Sequence, residues 1–298
     1  MAEPVKRILI TGTTGLVGYR LFDFLRCHTD WEIIGTSRSL GDHCDYIIDL
    51  TDSESVRTLK KIGSVDAIVH TAAISKTDEC EKNKEACHAA NVLSTQHLLS
   101  AFKDSKFVYF STYAVYNTPE GNCDESATIS PTNYYIGTKI SGESLMKSSR
   151  FPIIFRPSVI FGFTPFERSS KNYFMQLIDN IRNNKVTKSP IDQYFNPVHV
   201  DTVAEITYRA IENNITGVYN IGSNENISKY EFNRKIMARF SFDQKCLEGV
   251  TSQSLIVNRP NNGTISSRLL QETLHYNIPA LDQMIENLYL STRGCAIP

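Results

Sequence analysis

Residues 7–18, RILITGTTGLVG, limit the fold more tightly than any other stretch of the chain. Ile8, Leu9 and Ile10 form an apolar run without alternation, the pattern of a strand covered on both faces in a parallel sheet. From Leu16 the period changes. Val17, Leu21, Phe24 and Leu25 fall on one stripe of an amphipathic helix. Between strand and helix, Gly12, Gly15 and Gly18 remove side chains that would hold the backbone away from a pyrophosphate, and the helix N-terminus offers unpaired N–H groups and its positive dipole end. The competing reading is a tight strand-to-helix turn without a ligand, so the rest of the chain has to decide.

Strand-like runs recur at residues 32–36, 45–50, 66–70 and 106–111, alternating with helical patterns at 53–62 and 81–103. This cadence predicts an α/β fold with a doubly wound parallel sheet of the Rossmann type. Residues 1–162 read as a dinucleotide-binding domain and 163–298 as a smaller substrate lobe, with segments around 194–215 returning to the first domain. In the second half, helices are expected at 172–183, 201–212 and 228–240, a strand at 218–220, and two helices between 266 and 290.

Ligands of such sheets sit beyond the carboxyl ends of the strands. The second strand ends in Ser37 and Arg38, with no acid. An arginine there suits a 2′-phosphate and a carboxylate suits a free 2′-hydroxyl, so the expected cofactor is NADP(H), with Ser37 and Arg38 as the phosphate grip. Asp49 and Leu50 end the third strand, where adenine would lie. Ala72 and Ala73 follow the fourth and are small enough to let a cofactor pass close. Ser111 and Thr112 end the fifth and place hydroxyls at the reaction end.

Ser130-Pro131 reads as the opening of a helix that carries Tyr135 and Lys139. Residues four apart share a helical face. A phenol with a pKa of about 10 is a poor acid or base at neutral pH, and a neighbouring ammonium is expected to bring it toward the working range. A tyrosine and lysine at this spacing are common on ordinary helices. What separates this pair from them is its place downstream of the glycine turn and Thr112.

With 31 Lys and Arg against 32 Asp and Glu, the net charge of −1 gives no reason to expect nucleic acid or an anionic membrane as partner. No apolar run approaches the roughly 20 residues of a membrane span, and a cytoplasmic location is expected. Seven cysteines show no C-x-x-C pair and are odd in number, so free thiols are expected and no metal site.

TGTTGLVG, HTAAIS, STYAVY, YYIGTK, ISGE and FRPSVIFG resemble the extended short-chain dehydrogenase/reductases. With residues 78–99, 196–206 and 217–232 included, the chain resembles the dTDP-4-dehydrorhamnose reductase family along its length. The resemblance implies a catalytic set of Thr112, Tyr135 and Lys139, and cofactor contacts at Gly12, Thr14, Gly15, Leu16, Arg38, Asp49, Leu50, Ala72 and Ala73, with Tyr135 and Lys139 also touching the cofactor. It implies NADPH-dependent reduction of a 4-keto-6-deoxy nucleotide sugar, with Tyr135 as proton donor. Ser111 is a candidate substrate contact. Arg156, Arg168 and Arg259 are candidates for gripping the diphosphate. Two positions depart from the family pattern, Ile136 where Gly or Ala is usual and Val159 where a tryptophan stacks near the sugar.

Three alternatives remain beside the reductase. A 4,6-dehydratase would carry Asp-Glu where Tyr113-Ala114 stand, and Arg38 argues against an NAD-retaining epimerase. The resemblance also extends to the regulatory β subunits of methionine adenosyltransferase, which keep the fold and its NADP site while serving a partner enzyme. Homodimer formation is left open.

Overall fold

The computed structural model describes residues 5–163, 172–254 and 261–293. In the first half, β1 (Arg7–Thr11) leads into α1 (Leu16–His28), and β2 (Glu32–Ser37) into the two-residue β3 (Tyr46–Ile47) and α2 (Ser53–Thr58). β4 (Ala67–His70) is followed by α3 (Thr77–Lys82), α4 (Lys84–His88) and α5 (Ser94–Ala101), and β5 (Lys106–Phe110) by α6 (Tyr134–Leu145) and β6 (Pro152–Pro157). The second half holds β7 (Ile160–Phe161), α7 (Tyr173–Arg182), β8 (Thr187–Pro190), β9 (Tyr194–Phe195), β10 (Val198–His199) and α8 (Val200–Glu212). Then come β11 (Gly217–Ile221), β12 (Ile227–Ser228), α9 (Lys229–Arg239), β13 (Leu247–Val250), α10 (Arg268–Leu274) and α11 (Leu281–Ser291).

The main sheet runs β11-β6-β5-β4-β1-β2-β3, and every pairing in it is parallel. This is the doubly wound Rossmann sheet expected from the alternation of patterns. Its order reverses between β1 and β4, and the crevice at that switch point is where such sheets bind ligands. Both faces are covered, which explains the unalternated apolar strands. Ile8 and Ile10 pack with Leu21 and Leu25 of α1 on one face, while Leu9, Ile68 and Phe107 pack with Leu98 and Phe102 on the other. The first of these cores continues without a break into Val203, Phe232 and Met284 of the second half.

The strand that rejoins the sheet from the second half is β11, in register Gly217↔Ile153 to Ile221↔Pro157 with β6. The preceding α8 packs along α1, and Arg20 there forks onto Asp201 at 2.8 and 2.9 Å.

Four local expectations need correction. The run at 45–50 yields only two paired residues, both exposed, because β3 is the sheet's edge. The helix expected over 81–103 is broken at Asn83, whose backbone leaves the helical region and whose side chain caps α4 at the Ala86 N–H; a π-helical turn at Ala89–Leu93 then precedes α5. α6 opens at Asn133 rather than Ser130, since the Asn133 side-chain Oδ1 accepts from the Ile136 N–H at 3.0 Å. The break at Asn83 also folds α3 onto α4 and brings Cys80 and Cys87 into a disulfide, so the expectation of seven free thiols fails for this pair. Cys27, Cys44, Cys123 and Cys246 are free. Among the described residues, no helix is long and apolar enough to cross a membrane and no cluster could hold a metal ion.

Candidate active site

The glycine turn closes against the end of β4. Gly12 adopts φ +74°, and a Cβ placed there would stand 2.8 Å from the backbone of Ala72. Its N–H donates to Thr36 O at 2.7 Å, and Thr71 Oγ1 donates to Thr11 O at 2.6 Å, so the ends of β1, β2 and β4 are tied together. Gly15 caps α1 without any side-chain hydrogen bond to the first-turn N–H groups, which leaves them available to an anion.

A cavity of about 490 Å³ opens in front of this turn. Gly15, Leu16 and Ala73 line it at the cofactor end, and Ser111, Thr112, Tyr135 and Lys139 line its middle. Gln193, Tyr194, Lys229, Asn262 and Thr264 carry it into the second half. Its described lining includes Lys76, Lys139 and Lys229 and no carboxylate, a charge balance that suits an anionic ligand. Ile136 and Val159, the two departures from the family pattern, both line it as well.

The other sequence-derived cofactor positions lie beyond this cavity, at the carboxyl ends of β1 to β4. Arg38 is exposed immediately after β2. Ser37 is buried, and its hydroxyl bonds within its own loop, donating to Ser39 O and accepting from Ser39 N. Asp49 is exposed and accepts from the N–H and hydroxyl of Thr51. Leu50 belongs to the core, with its carbonyl 3.0 Å from His97 Nδ1. Thr14 sits beside Gly41. Arg168 and Arg259 fall outside the described residues.

Thr112, Tyr135 and Lys139 come together. β5 delivers Thr112 and α6 the other two. The Thr112 hydroxyl lies by the Tyr135 phenol and acts to lower it, and Thr112 Oγ1 accepts from the Ala114 N–H at 3.2 Å. Lys139 Nζ donates to Phe110 O at 2.8 Å and stands 5.1 Å above the centre of the Tyr109 ring. The expectation that the ammonium lowers the phenol is not met in this arrangement. Burial pushes Tyr135 up, Tyr113 adds to that, and the Thr112 hydroxyl opposes it only in part. Burial also brings Lys139 down to about 8, against the opposing pull of Glu143. The phenol therefore holds its proton at neutral pH, the state required of an acid.

Arg156 does not reach for a diphosphate, and that expectation is corrected. It is 5% exposed and forks onto Glu143, with Nε to Oε1 at 3.0 Å and Nη2 to Oε2 at 2.7 Å. Its Nη1 donates to the Tyr116 hydroxyl at 2.8 Å and to Glu125 O at 3.2 Å. Ser111 lines the cavity, but its hydroxyl donates to Glu143 Oε1 at 2.5 Å. Glu143 had no role in the sequence reading beyond its place in the ISGE string. The far wall of the cavity was missed too. Gln193 is buried and accepts from Lys229 Nζ at 2.7 Å, yet no motif marks either residue.

A family model described as the RmlD substrate binding domain matches residues 6–292. The chain belongs to the RmlD family. The dTDP-4-dehydrorhamnose reductase resemblance drawn from the sequence is thereby met. Among solved structures, the RmlD-family chain is similar to dTDP-4-dehydrorhamnose reductase from Bacillus anthracis in complex with NADP. The TM-score is 0.86 at 22% identity, covering 97% of this chain and 100% of that one. It is also similar to a hypothetical dTDP-4-dehydrorhamnose reductase from Sulfolobus tokodaii, with TM-score 0.80, 26% identity and coverage of 93% and 97%. Among curated proteins, methionine adenosyltransferase 2 subunit beta of Xenopus laevis is 26% identical over 279 residues, 90% of this chain and 83% of the relative.

Proposed function

We propose that this chain is an NADPH-dependent reductase of a 4-keto-6-deoxy nucleotide sugar, with Thr112, Tyr135 and Lys139 as its catalytic set. The observation that carries the reading is the meeting of Thr112 and Tyr135, one helical turn from the buried Lys139, in a cavity that also takes in the N-terminus of α1. Gly12, Thr14, Gly15, Leu16, Ala72 and Ala73 would hold the dinucleotide, with Arg38 and Ser37 toward its 2′-phosphate and Asp49 and Leu50 toward adenine. The uncapped first turn of α1 and the lysine-rich lining fit its phosphates.

When bound, a reduced nicotinamide supplies the hydride. The remaining chemistry belongs to the side chains. Tyr135, kept protonated by burial, gives its phenolic proton to the keto oxygen as negative charge gathers there. Thr112 fixes the position of that oxygen beside the phenol. Lys139 stands one turn away, where its bond to Phe110 O keeps it in place and it would hold the nicotinamide ribose. Rate enhancement on this reading comes from placement and fixed charge. Tyr135→Phe should keep NADPH binding and lower turnover by at least about 100-fold, the scale of a positioned acid. Near-normal turnover in that variant would overturn the assignment.

One observation favours a second reading. The similarity to a methionine adenosyltransferase subunit over 90% of this chain is compatible with a subunit that binds NADP and serves a partner enzyme. Stoichiometric capture of an enzyme partner, with no NADPH consumption on any dTDP-, UDP- or GDP-4-keto-6-deoxyhexose, would decide for it.

A further inference from the structure

The cysteine pair that departs from the sequence expectation lies against the helix that carries Tyr135 and Lys139. Cys80 of α3 and Cys87 of α4 close a disulfide across the break at Asn83, with their Cα atoms 5.1 Å apart. Both are fully buried, while residues 81–85 between them are all exposed. α3 has six residues and α4 five, too few to persist as helices on their own, so the bridge is the covalent tie that keeps the two in one corner. Both helices pack against α6. Glu81, next to Cys80, accepts the Tyr134 N–H at 2.7 Å through Oε1 and so places a carboxylate at the start of α6, which has no acid in its own first turn. Its other oxygen stands 3.8 Å from Lys84 Nζ of α4, across the bridged corner. Behind the bridge, Asn91 Nδ2 lies 3.4 Å from Cys87 Sγ and 3.0 Å from Thr138 Oγ1, and Thr138 precedes Lys139 in the chain. The same amide bonds Ile74 N and O at 2.8 and 3.0 Å, and Ser75, Lys76 and Thr77, which follow Ile74, line the cavity.

We propose that Cys80 and Cys87 form a redox-sensitive clasp on the helix of Tyr135 and Lys139, with Glu81 as the positioning residue through which the state of the bridge reaches α6. A small thiol, as its thiolate, attacks one bridge sulfur, the S–S bond breaks and a mixed disulfide forms; a second thiolate then displaces the protein sulfur. The products are two cysteine thiols, which take up the protons the attacking thiols gave up, and one small disulfide. Oxidation by a small disulfide runs the same steps in reverse. The buried sulfurs become reachable when the corner opens locally, an opening that costs less than global unfolding where helices are this short and their outer residues lie in water. With the bridge cut, nothing covalent holds Glu81 beside Lys84 and under the Tyr134 N–H, and Tyr135 is the next residue. A misplacement of about 1 Å at a reacting group costs up to about 100-fold in rate. The effect on turnover rests on the reading of Tyr135 as the proton donor; the effect on α6 does not.

The full chain would be compared before and after treatment with dithiothreitol. Unfolded and alkylated, it should show five reactive thiols before treatment and all seven after, since two of the seven are bridged. Hydrogen exchange of the folded chain, read by mass spectrometry, should rise on reduction at residues 74–77 and 134–138 and stay unchanged in α10 and α11, which pack against β11 and α9 instead. Glu81→Ala, with the bridge intact, should raise exchange at 134–138 alone. Cys80→Ser/Cys87→Ser should match the reduced chain with or without dithiothreitol. On a keto sugar that the chain turns over, reduction should lower kcat at least about tenfold and leave the KM for NADPH unchanged, and oxidised glutathione should restore kcat in the parent and not in the double variant. Seven thiols in the untreated chain, exchange at 134–138 that reduction leaves as it was, a rise that extends equally to α10 and α11, or a kcat indifferent to the bridge would each overturn the inference. A chain whose exchange responds as described but which reduces no sugar would leave the clasp standing and remove the proposed reaction.

Discussion

Arg156→Ala separates a ligand-gripping arginine from a buried structural one, because the two roles differ in size and sign. An exposed arginine waiting for a diphosphate could be truncated with a stability change within about 0.5 kcal/mol, and the loss would fall on ligand affinity. The structure gives Arg156 four hydrogen bonds, two of them to a carboxylate as buried as itself. Removing one partner of such a pair strands the other charge, at a cost of about 3–5 kcal/mol. For 298 residues that corresponds to a fall in Tm of roughly 5–8 °C. Urea unfolding followed by the fluorescence of Trp31, the single tryptophan, would read it directly. Glu143→Gln/Arg156→Met should recover most of the loss, since neither charge is then stranded. A loss under about 1 kcal/mol in Arg156→Ala would refute the buried-pair account, as stability changes of that size are what exposed ion pairs give.

Gly12→Ala forces a Cβ to 2.8 Å from the Ala72 backbone at a positive φ, and should cost at least about 2 kcal/mol and abolish NADPH binding. Gly15→Ala meets only Gly12 O at 3.3 Å, so it should fold normally; fluorescence titration with NADPH alongside urea unfolding checks both. His70 and His199 are held neutral by burial, at about 3 and about 4 against a free value of 6.5. The unfolded chain therefore takes up protons below pH 6.5 that the native state refuses, and stability falls as pH drops from 6.5 toward 4. The slope should approach about 1.4 kcal/mol per pH unit for each imidazole, and His70→Gln should flatten it by one proton's share.

The parallel sheet was legible because its strands are apolar without alternation and its glycine turn carries a local backbone requirement. Thr112, Tyr135 and Lys139 could be read for a similar reason, since a phenol and an ammonium one helical turn apart need no tertiary information to be paired. Arg156 was misread because sequence shows a residue's chemistry and hides its direction. A guanidinium after an apolar strand could face a ligand or a carboxylate 13 residues earlier, and only packing decides. The helix break at Asn83 was hidden by an uninterrupted helical composition, and with it the meeting of Cys80 and Cys87. Gln193 and Lys229 sit 36 residues apart on short elements, so no spacing rule could have joined them.

The account stands on the glycine turn, Arg38 and the Tyr135 and Lys139 pair serving one reduction. The most direct measurement is NADPH consumption by the purified chain on a panel of dTDP-, UDP- and GDP-4-keto-6-deoxyhexoses, with Tyr135→Phe as the paired control. The account predicts one NADPH oxidised for each keto sugar reduced, and loss of that turnover in the control. A chain that binds NADPH and oxidises none of it on any member of the panel would contradict it.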